Sequence, residues 1–196
     1  MRTFFILLPF LFCSQLATSQ SISRSDFLKL IPYLENYDYQ SAFEKSDSLL
    51  KATQDDSSDL RAIVNYINIF SATGLVTIDK MSFDQLDIIL KKYVGHKLIL
   101  PAHPCIDSSK KVAYNSLQFR KKEGEYEGMV IASNKNNTSI LCFEYLDFNP
   151  EVEPTILIGK NVRCSGKLES FEIHDSPLKL WITRLHISNA FARIMN

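Results

Sequence analysis

A cluster of positive charge lies between residues 96 and 122, where six cations accompany one acid, Asp107. Phe119 lies within this segment and Tyr126 follows it closely. Cations that follow a groove, together with aromatic rings that stack on a ligand, are how many proteins hold a flexible anionic polymer. The sequence therefore predicts a ligand-binding surface that comprises Lys110, Lys111, Phe119, Arg120, Lys122 and Tyr126.

The same charges also have a purely structural interpretation. Glu123, Glu125 and Glu127 follow directly after the cations, so the segment is equally typical of a solvated strand and loop. Over the whole chain, 22 Lys and Arg residues balance 22 Asp and Glu residues, which is not the composition of a general nucleic-acid-binding protein. We therefore expect the partner to be a protein or an envelope polymer rather than nucleic acid.

Two other groups of residues contain the residue types of a metal site or a catalytic triad, but the residues are not spaced as those sites require. His96, His103 and Cys105 match none of the paired patterns that identify zinc sites. The consecutive residues at 174–176, His-Asp-Ser, cannot form a catalytic relay and are typical of a turn. The sequence contains no glycine-rich phosphate loop and no GxSxG, HExxH or CxxC motif. It predicts no cofactor and no metal, and it favours binding over catalysis.

The first 19 residues have the layout of a secretory signal. Arg2 supplies the positive charge, residues 4–12 form an apolar run, and small residues precede a cleavage position before Gln20. The run is shorter than the roughly 20 apolar residues that cross a bilayer. We expect the signal to be cleaved, no membrane span to remain, and the protein to be exported to the periplasm or the extracellular space.

Three cysteines, Cys105, Cys142 and Cys164, follow the predicted cleavage position. An odd number means that one of them cannot pair within the chain. Cys142 and Cys164 lie in apolar, strand-like runs, where a free cysteine behaves as a small buried apolar residue. We expect burial rather than a disulfide.

Residues 20–94 are predicted to be helical. A first amphipathic helix is indicated by apolar or small residues at spacings of three and four. These residues are Tyr39, Ala42, Phe43, Ser46, Leu49 and Leu50. A second helix is predicted over 60–70, capped by the preceding serines and ended by Gly74. Upstream, Pro32 is expected to kink or end a helix.

The clearest helix start in the sequence is Ser82. Gln85 lies three residues later, and the two residues can satisfy each other's backbone amides as a capping box. Gly95 is a suitable left-handed terminator for this helix. After Gly95 the sequence changes to short apolar runs, turn dipeptides and β-branched residues.

Residues 95–196 are predicted to be rich in β-strands. The candidate strands are 96–102, 116–121, 128–133, 138–145, 161–173 and 178–188. Turns are predicted at 134–137 and 174–177. In the last two strands the apolar alternation slips by one position at midlength, as a β-bulge produces. Long strands that bend at a β-bulge allow a small sheet to close into a barrel.

The segment IGKNVRCSGKL at 158–168, followed by a turn and the strand at 180–187, is similar to the closing two strands of OB-fold domains. The likeness is greatest to small exported bacterial domains that are grouped with anticodon-binding domains. It implies a ligand surface on strands two and three, flanked by the loops at 106–115 and 174–177. Pro101 and Pro104 interrupt what the family pattern makes a long first strand.

Residues 38–50 and the following helix resemble one and a half tetratricopeptide repeats. A solenoid needs three or more units, so a plain helical hairpin is the simpler interpretation. The predicted fold class is α+β, with a helical hairpin or small bundle at 20–94 followed by a five- to six-stranded OB-like β-barrel at 95–196.

The functional prediction is an exported, non-catalytic binding module. The alternative is a scaffold or assembly component that docks a partner through its repeat-like helices, which would expose Tyr37, Tyr39 and Phe43 as an apolar patch. A hydrolase built from scattered residues would instead need a deep pocket with perturbed titratable groups.

Overall fold

The computed structural model describes residues 21–53, 57–108, 113–122 and 125–195. The predicted signal at 1–19 lies outside these residues. The fold is α+β: helices come first, and a six-stranded mixed sheet that curves into a half-barrel follows. Within the described ranges, no helix has both the length and the apolar character needed to cross a membrane.

The helical part comprises two short and three longer helices. Their bounds are α1 Arg24–Leu28, α2 Ile31–Glu35, α3 Tyr39–Ala52, α4 Asp59–Thr77 and α5 Phe83–Lys91. The predicted capping box at the start of α5 is confirmed. Ser82 Oγ accepts a hydrogen bond from the backbone amide of Gln85 at 3.2 Å, and Gln85 Oε1 accepts one from the amide of Ser82 at 2.9 Å.

Two helix boundaries differ from the prediction. Gly74 does not end its helix, because α4 continues to Thr77. A Cβ atom at Gly74 would lie 2.4 Å from the ring of Tyr39, so this glycine allows α3 and α4 to approach closely. Pro32 lies in the first turn of α2 instead of ending a helix, where its missing amide proton costs no hydrogen bond.

All six predicted strands are present, with ends that differ by a few residues. Their bounds are β1 Lys97–Pro104, β2 Leu117–Lys122, β3 Glu125–Ser133, β4 Ile140–Phe148, β5 Asn161–Ile173 and β6 Trp181–Ile194. The order across the sheet is β1-β5-β6-β4-β3-β2. The β4–β6 pair is parallel and the other pairs are antiparallel.

The predicted slip is confirmed in β5, whereas in β6 the register irregularity lies between Ser188 and Phe191 and not between Ile182 and Leu185, where the apolar alternation of the sequence slips. The register between β5 and β6 shifts between Ser165 and Lys167 and again between Leu168 and Ser170. Pro101 and Pro104 both lie within β1, which is an outer strand of the sheet, where proline is tolerated. An isolated bridge between Cys105 and Leu117 joins the chain just after β1 to the start of β2.

The helices and the sheet share one hydrophobic core. Helix α4 packs against β1 and β4, and the fully buried side chains come from both parts of the chain. Examples are Leu75 and Leu90 from the helices and Leu98, Leu146 and Ile182 from the strands. Cys142 and Cys164 are buried and free, which confirms the expectation of burial without a disulfide, and Cys105 is buried and free as well.

Candidate functional site

Strand β4 has two faces of very different composition. Cys142, Glu144 and Leu146 are fully buried, whereas Phe143 and Tyr145 between them are half-buried. Successive side chains on a strand point to opposite faces of the sheet, so the two rings lie on the face away from the core. They stack with 6.4 Å between centroids and 12° between planes.

The parallel pairing of β4 with β6 brings further side chains to the same face. Arg184 lies beside Phe143 in the register, and His186 lies beside Tyr145. The His186 and Tyr145 rings stack at 5.2 Å. The row of rings thus continues from one strand to the next.

Trp181, the only tryptophan of the chain, lies at one end of this row. Its ring meets Phe143 edge to face at 6.0 Å. His174, which follows β5, stacks on Trp181 at 4.3 Å, and the Arg184 guanidinium lies 4.5 Å from the Trp181 ring centre. We call Phe143, Tyr145, His174, Trp181 and His186, with Arg120 and Arg184, the aromatic face.

Charges of both signs border the aromatic face. The Arg120 guanidinium lies 4.6 Å from the Tyr145 ring centre and pairs with Glu127, which is opposite it in the β2–β3 register. Arg184 pairs with Glu172 at 3.0 Å, and His186 Nε2 lies 3.7 Å from the same carboxylate. Exposed ion pairs contribute little stability, but these pairs hold both guanidinium groups against the rings.

A carboxyl group lies on the core side of the same strand. Glu144 is fully buried, Tyr66 donates a hydrogen bond to its Oε1 at 2.6 Å, and its Oε2 has no partner. Burial raises the pKa of Glu144 to about 8, and the Tyr66 hydrogen bond opposes this shift. The group has no access to a ligand on the aromatic face, so it is a structural feature rather than a general acid for that surface.

The aromatic face offers rings and guanidinium groups, side chains that can contact and orient a bound molecule. In the part of the chain that the structure describes, no three His, Cys, Asp or Glu side chains gather to hold a metal ion.

The structure describes the side chains of three of the six predicted ligand-binding residues, Phe119, Arg120 and Tyr126. Lys110 and Lys111 lie outside the described residues, and Lys122 is described only as part of the backbone of β2. Phe119 is buried, with its ring 5.7 Å from Phe148, so it offers no platform to a ligand. Tyr126 is half-buried and packs against the core.

Arg120 is the predicted residue that the structure places on the aromatic face, through its contact with Tyr145. The other members of the face were missed. Phe143 and Tyr145 are two residues apart, as are Arg184 and His186, and this period-two spacing is the signal that could have found them.

The residues proposed for helix docking do not form an exposed patch. Tyr39 is 7% exposed, and its ring contacts Tyr37 and Phe70 edge to face at 6.1 Å each. Tyr37 and Phe43 are half-buried and pack against the core. These rings connect the helices to each other.

No protein-family model, curated protein or solved structure shows significant similarity to this chain.

Proposed function

We propose that this chain is an exported, non-catalytic binding module and that it binds a protein partner through the aromatic face. The observation that carries the proposal is the continuous contact of His186, Tyr145, Phe143 and Trp181, with one guanidinium group against Tyr145 and another against Trp181. Trp, Tyr and Arg are the residues that most often dominate the free energy of protein–protein binding.

The arrangement of the rings favours a protein over a polymer as the partner. His186 and Arg120 both lie against the ring of Tyr145, and His174 and Arg184 both lie against the ring of Trp181. The faces on which sugar rings or bases would stack are thus engaged within the protein. The remaining ring edges, bordered by Glu127 and Glu172 as well as the arginines, suit a partner with charges of both signs.

We also propose that the half-barrel is an OB-like barrel with an interrupted first strand. If β1 and β2 together take the place of one long strand, β3 and β4 become strands two and three. The loop at 174–180 then becomes the loop between the last two strands. OB folds bind their ligands on those strands and beside that loop, and Phe143, Tyr145 and His174 lie there.

A scaffold role through the helices has less support. It requires an exposed apolar patch on α3, and Tyr39 of that helix is buried against α4. Catalysis also has less support, because Glu144, the buried carboxyl with a strongly raised pKa, lines none of the three cavities at the helix–sheet interface.

The proposal is tested with a phage-displayed library of random peptides selected against residues 20–196. Affinities of the enriched peptides are measured by fluorescence anisotropy for the unmodified chain and for the double variant Tyr145→Ala, Trp181→Ala. Hot-spot side chains cost about 2 kcal/mol or more when truncated, so we expect affinity to fall roughly 30-fold or more.

The matched control is Phe191→Ala, because Phe191 is 58% exposed on the same strand as Trp181 but lies outside the aromatic face. This variant should bind the selected peptides as the unmodified chain does. Failure to enrich any peptide, or equal affinity in the double variant, overturns the protein-binding proposal. Binding of alginate or hyaluronate that the double variant loses, without peptide binding, would assign the face to a polymer instead.

A further inference from the structure

A mostly apolar cavity of about 420 Å³ lies between the first two helices, α4 and β1. Its walls include Phe27, Ile31, Ile63, Ile67 and Ile99. A second cavity of about 140 Å³ shares four of its lining residues with the first, among them Tyr66 and Pro101. The first volume alone falls within the roughly 300–1,000 Å³ of small-molecule sites. The residues that line this space include none of the aromatic face.

Two arginines line the larger cavity. Arg24 belongs to α1 and Arg163 to β5, and neither pairs with an acidic side chain of the described residues. Arg163 Nε is buried and has no hydrogen-bond partner. The adjoining cavity of about 260 Å³ is lined by Lys97, Arg163, Arg193 and a single acid, Asp59, whose carboxylate already pairs with Lys97 at 2.7 Å. The charge around the apolar space is therefore positive.

His103 lines the smaller cavity and carries a polar atom that has no hydrogen-bond partner. His103 is 9% exposed, and its Nδ1 lies 3.0 Å from the Asn115 carbonyl oxygen, to which it must donate. Burial lowers the pKa of His103, so the ring is neutral and Nε2 carries a lone pair. Nε2 is buried without a hydrogen-bond partner. A buried acceptor of this kind is costly unless a donor reaches it.

We propose that the 420 Å³ and 140 Å³ cavities together bind a single-chain amphiphile. Its anionic head pairs with Arg24 and Arg163 in the larger cavity, and its chain carries a hydroxyl that donates to His103 in the smaller one. The apolar walls contact the chain, and the unpaired guanidinium groups compensate the charge of the head. A cationic amphiphile of the same length would place its charge against the arginines and is rejected. The proposal does not depend on the aromatic face, and either can fail without the other.

The test is isothermal titration calorimetry of the full mature chain with three probes: dodecanoate, ω-hydroxydodecanoate and dodecyltrimethylammonium. We expect saturable one-to-one binding of both acids, a several-fold higher affinity for the hydroxylated acid, and no binding of the cation. Arg163→Gln should weaken both acids tenfold or more. His103→Phe should remove the preference for the hydroxylated acid while dodecanoate still binds.

Ile63→Trp provides a variant that leaves all three polar groups in place. Ile63 is half-buried and lines both the larger cavity and the adjoining one, so a larger side chain there should reduce the affinity for both acids. Lys135→Gln, which removes an exposed cation on the β3–β4 turn, is the control and should bind as the unmodified chain does. Circular dichroism establishes that each variant is folded.

Several results would overturn the proposal. These are the absence of saturable binding, equal affinity for the cationic probe, or affinities unchanged by both Arg163→Gln and Ile63→Trp. Equal affinity for the two acids in the unmodified chain would remove the role assigned to His103. Co-sedimentation with anionic phospholipid vesicles that Ile63→Trp leaves unchanged would assign the cations to a membrane surface and not to a cavity ligand.

Discussion

The hydroxyl of Tyr66 on α4 donates a 2.6 Å hydrogen bond to Glu144 on β4, a residue 78 positions later in the chain. Both groups are buried, and the bond connects the helical part to the centre of the sheet. A buried carboxyl is costly when ionised. The core of this protein is consequently sensitive to pH at one identifiable position.

We predict that stability falls as pH rises through the neutral range. The pKa of Glu144 is about 8 in the fold, against an ordinary value of 4.5. Between these two pH values the native state holds a proton that the unfolded chain has released. Each pH unit of increase therefore lowers the free energy of unfolding by up to about 1.4 kcal/mol. The loss is complete above the folded pKa. Urea unfolding at about pH 5, 7 and 9 measures this dependence.

The control for this prediction is Glu144→Gln, which cannot ionise. Its unfolding free energy should change less with pH than that of the unmodified chain, and the difference isolates Glu144 from the histidines. Parallel pH profiles for the two proteins would contradict the assignment.

We predict that Tyr66→Phe destabilises the fold by roughly 1–3 kcal/mol, because it leaves both oxygens of Glu144 without a partner. It should also shift the pH-dependent loss of stability to higher pH, because the Tyr66 hydrogen bond lowers the pKa of Glu144. Combined with Glu144→Gln, the two effects should not add. Tyr114→Phe, at an exposed tyrosine, should have little effect on unfolding.

We predict that Gly166→Ala destabilises the protein by about 1–3 kcal/mol through overpacking. A Cβ atom there would lie 2.5 Å from Ile187 Cγ2 and 2.9 Å from the Ser188 carbonyl oxygen, and the backbone atom cannot easily move. The comparison is Gly159→Ala. That position is open but has φ +81°, so only the left-handed backbone, about 1 kcal/mol, opposes the change. Thermal unfolding that ranks the two variants in the reverse order would refute this explanation.

We predict that the three thiols do not react with Ellman's reagent in the native state. Burial raises the pKa of Cys105 to about 11 and those of Cys142 and Cys164 to about 12, so the reactive thiolate is scarce as well as inaccessible. Urea should expose all three to rapid reaction. Leu178→Cys, at a position that is 76% exposed, supplies a matched thiol that reacts at once in the folded protein.

Much of the fold was predictable because its signals are local. The capping box of Ser82 and Gln85, the buried face of α3 and the six strands depend on residues within one element. The sequence predicts that Gly74 ends its helix, whereas the glycine lies inside α4. A glycine that ends a helix and a glycine that leaves room for a neighbouring ring cannot be distinguished from local sequence. Only the position of Tyr39 distinguishes them.

The site was less predictable because it depends on pairing between distant strands. Arg184 and Phe143 are neighbours through the parallel β4–β6 register, which no local pattern specifies. His174 stacks on Trp181 because the connection between β5 and β6 reverses the direction of the chain. Phe119 was assigned to the surface because its strand also carries cations, but alternate residues of a strand face opposite sides, and Phe119 is on the core side.

The position of β6 has a consequence for how the molecule is made. This strand is the last in the chain, yet it lies between β4 and β5 in the interior of the sheet. A polypeptide that emerges with its N-terminus first can pair β1 with β5 and can form the β2–β3–β4 meander, but β5 and β4 are joined only through β6, residues 181–194. The central pairing of the sheet is therefore completed by the last of the six strands to be synthesised, and the two outer parts of the sheet depend on β6 for their connection.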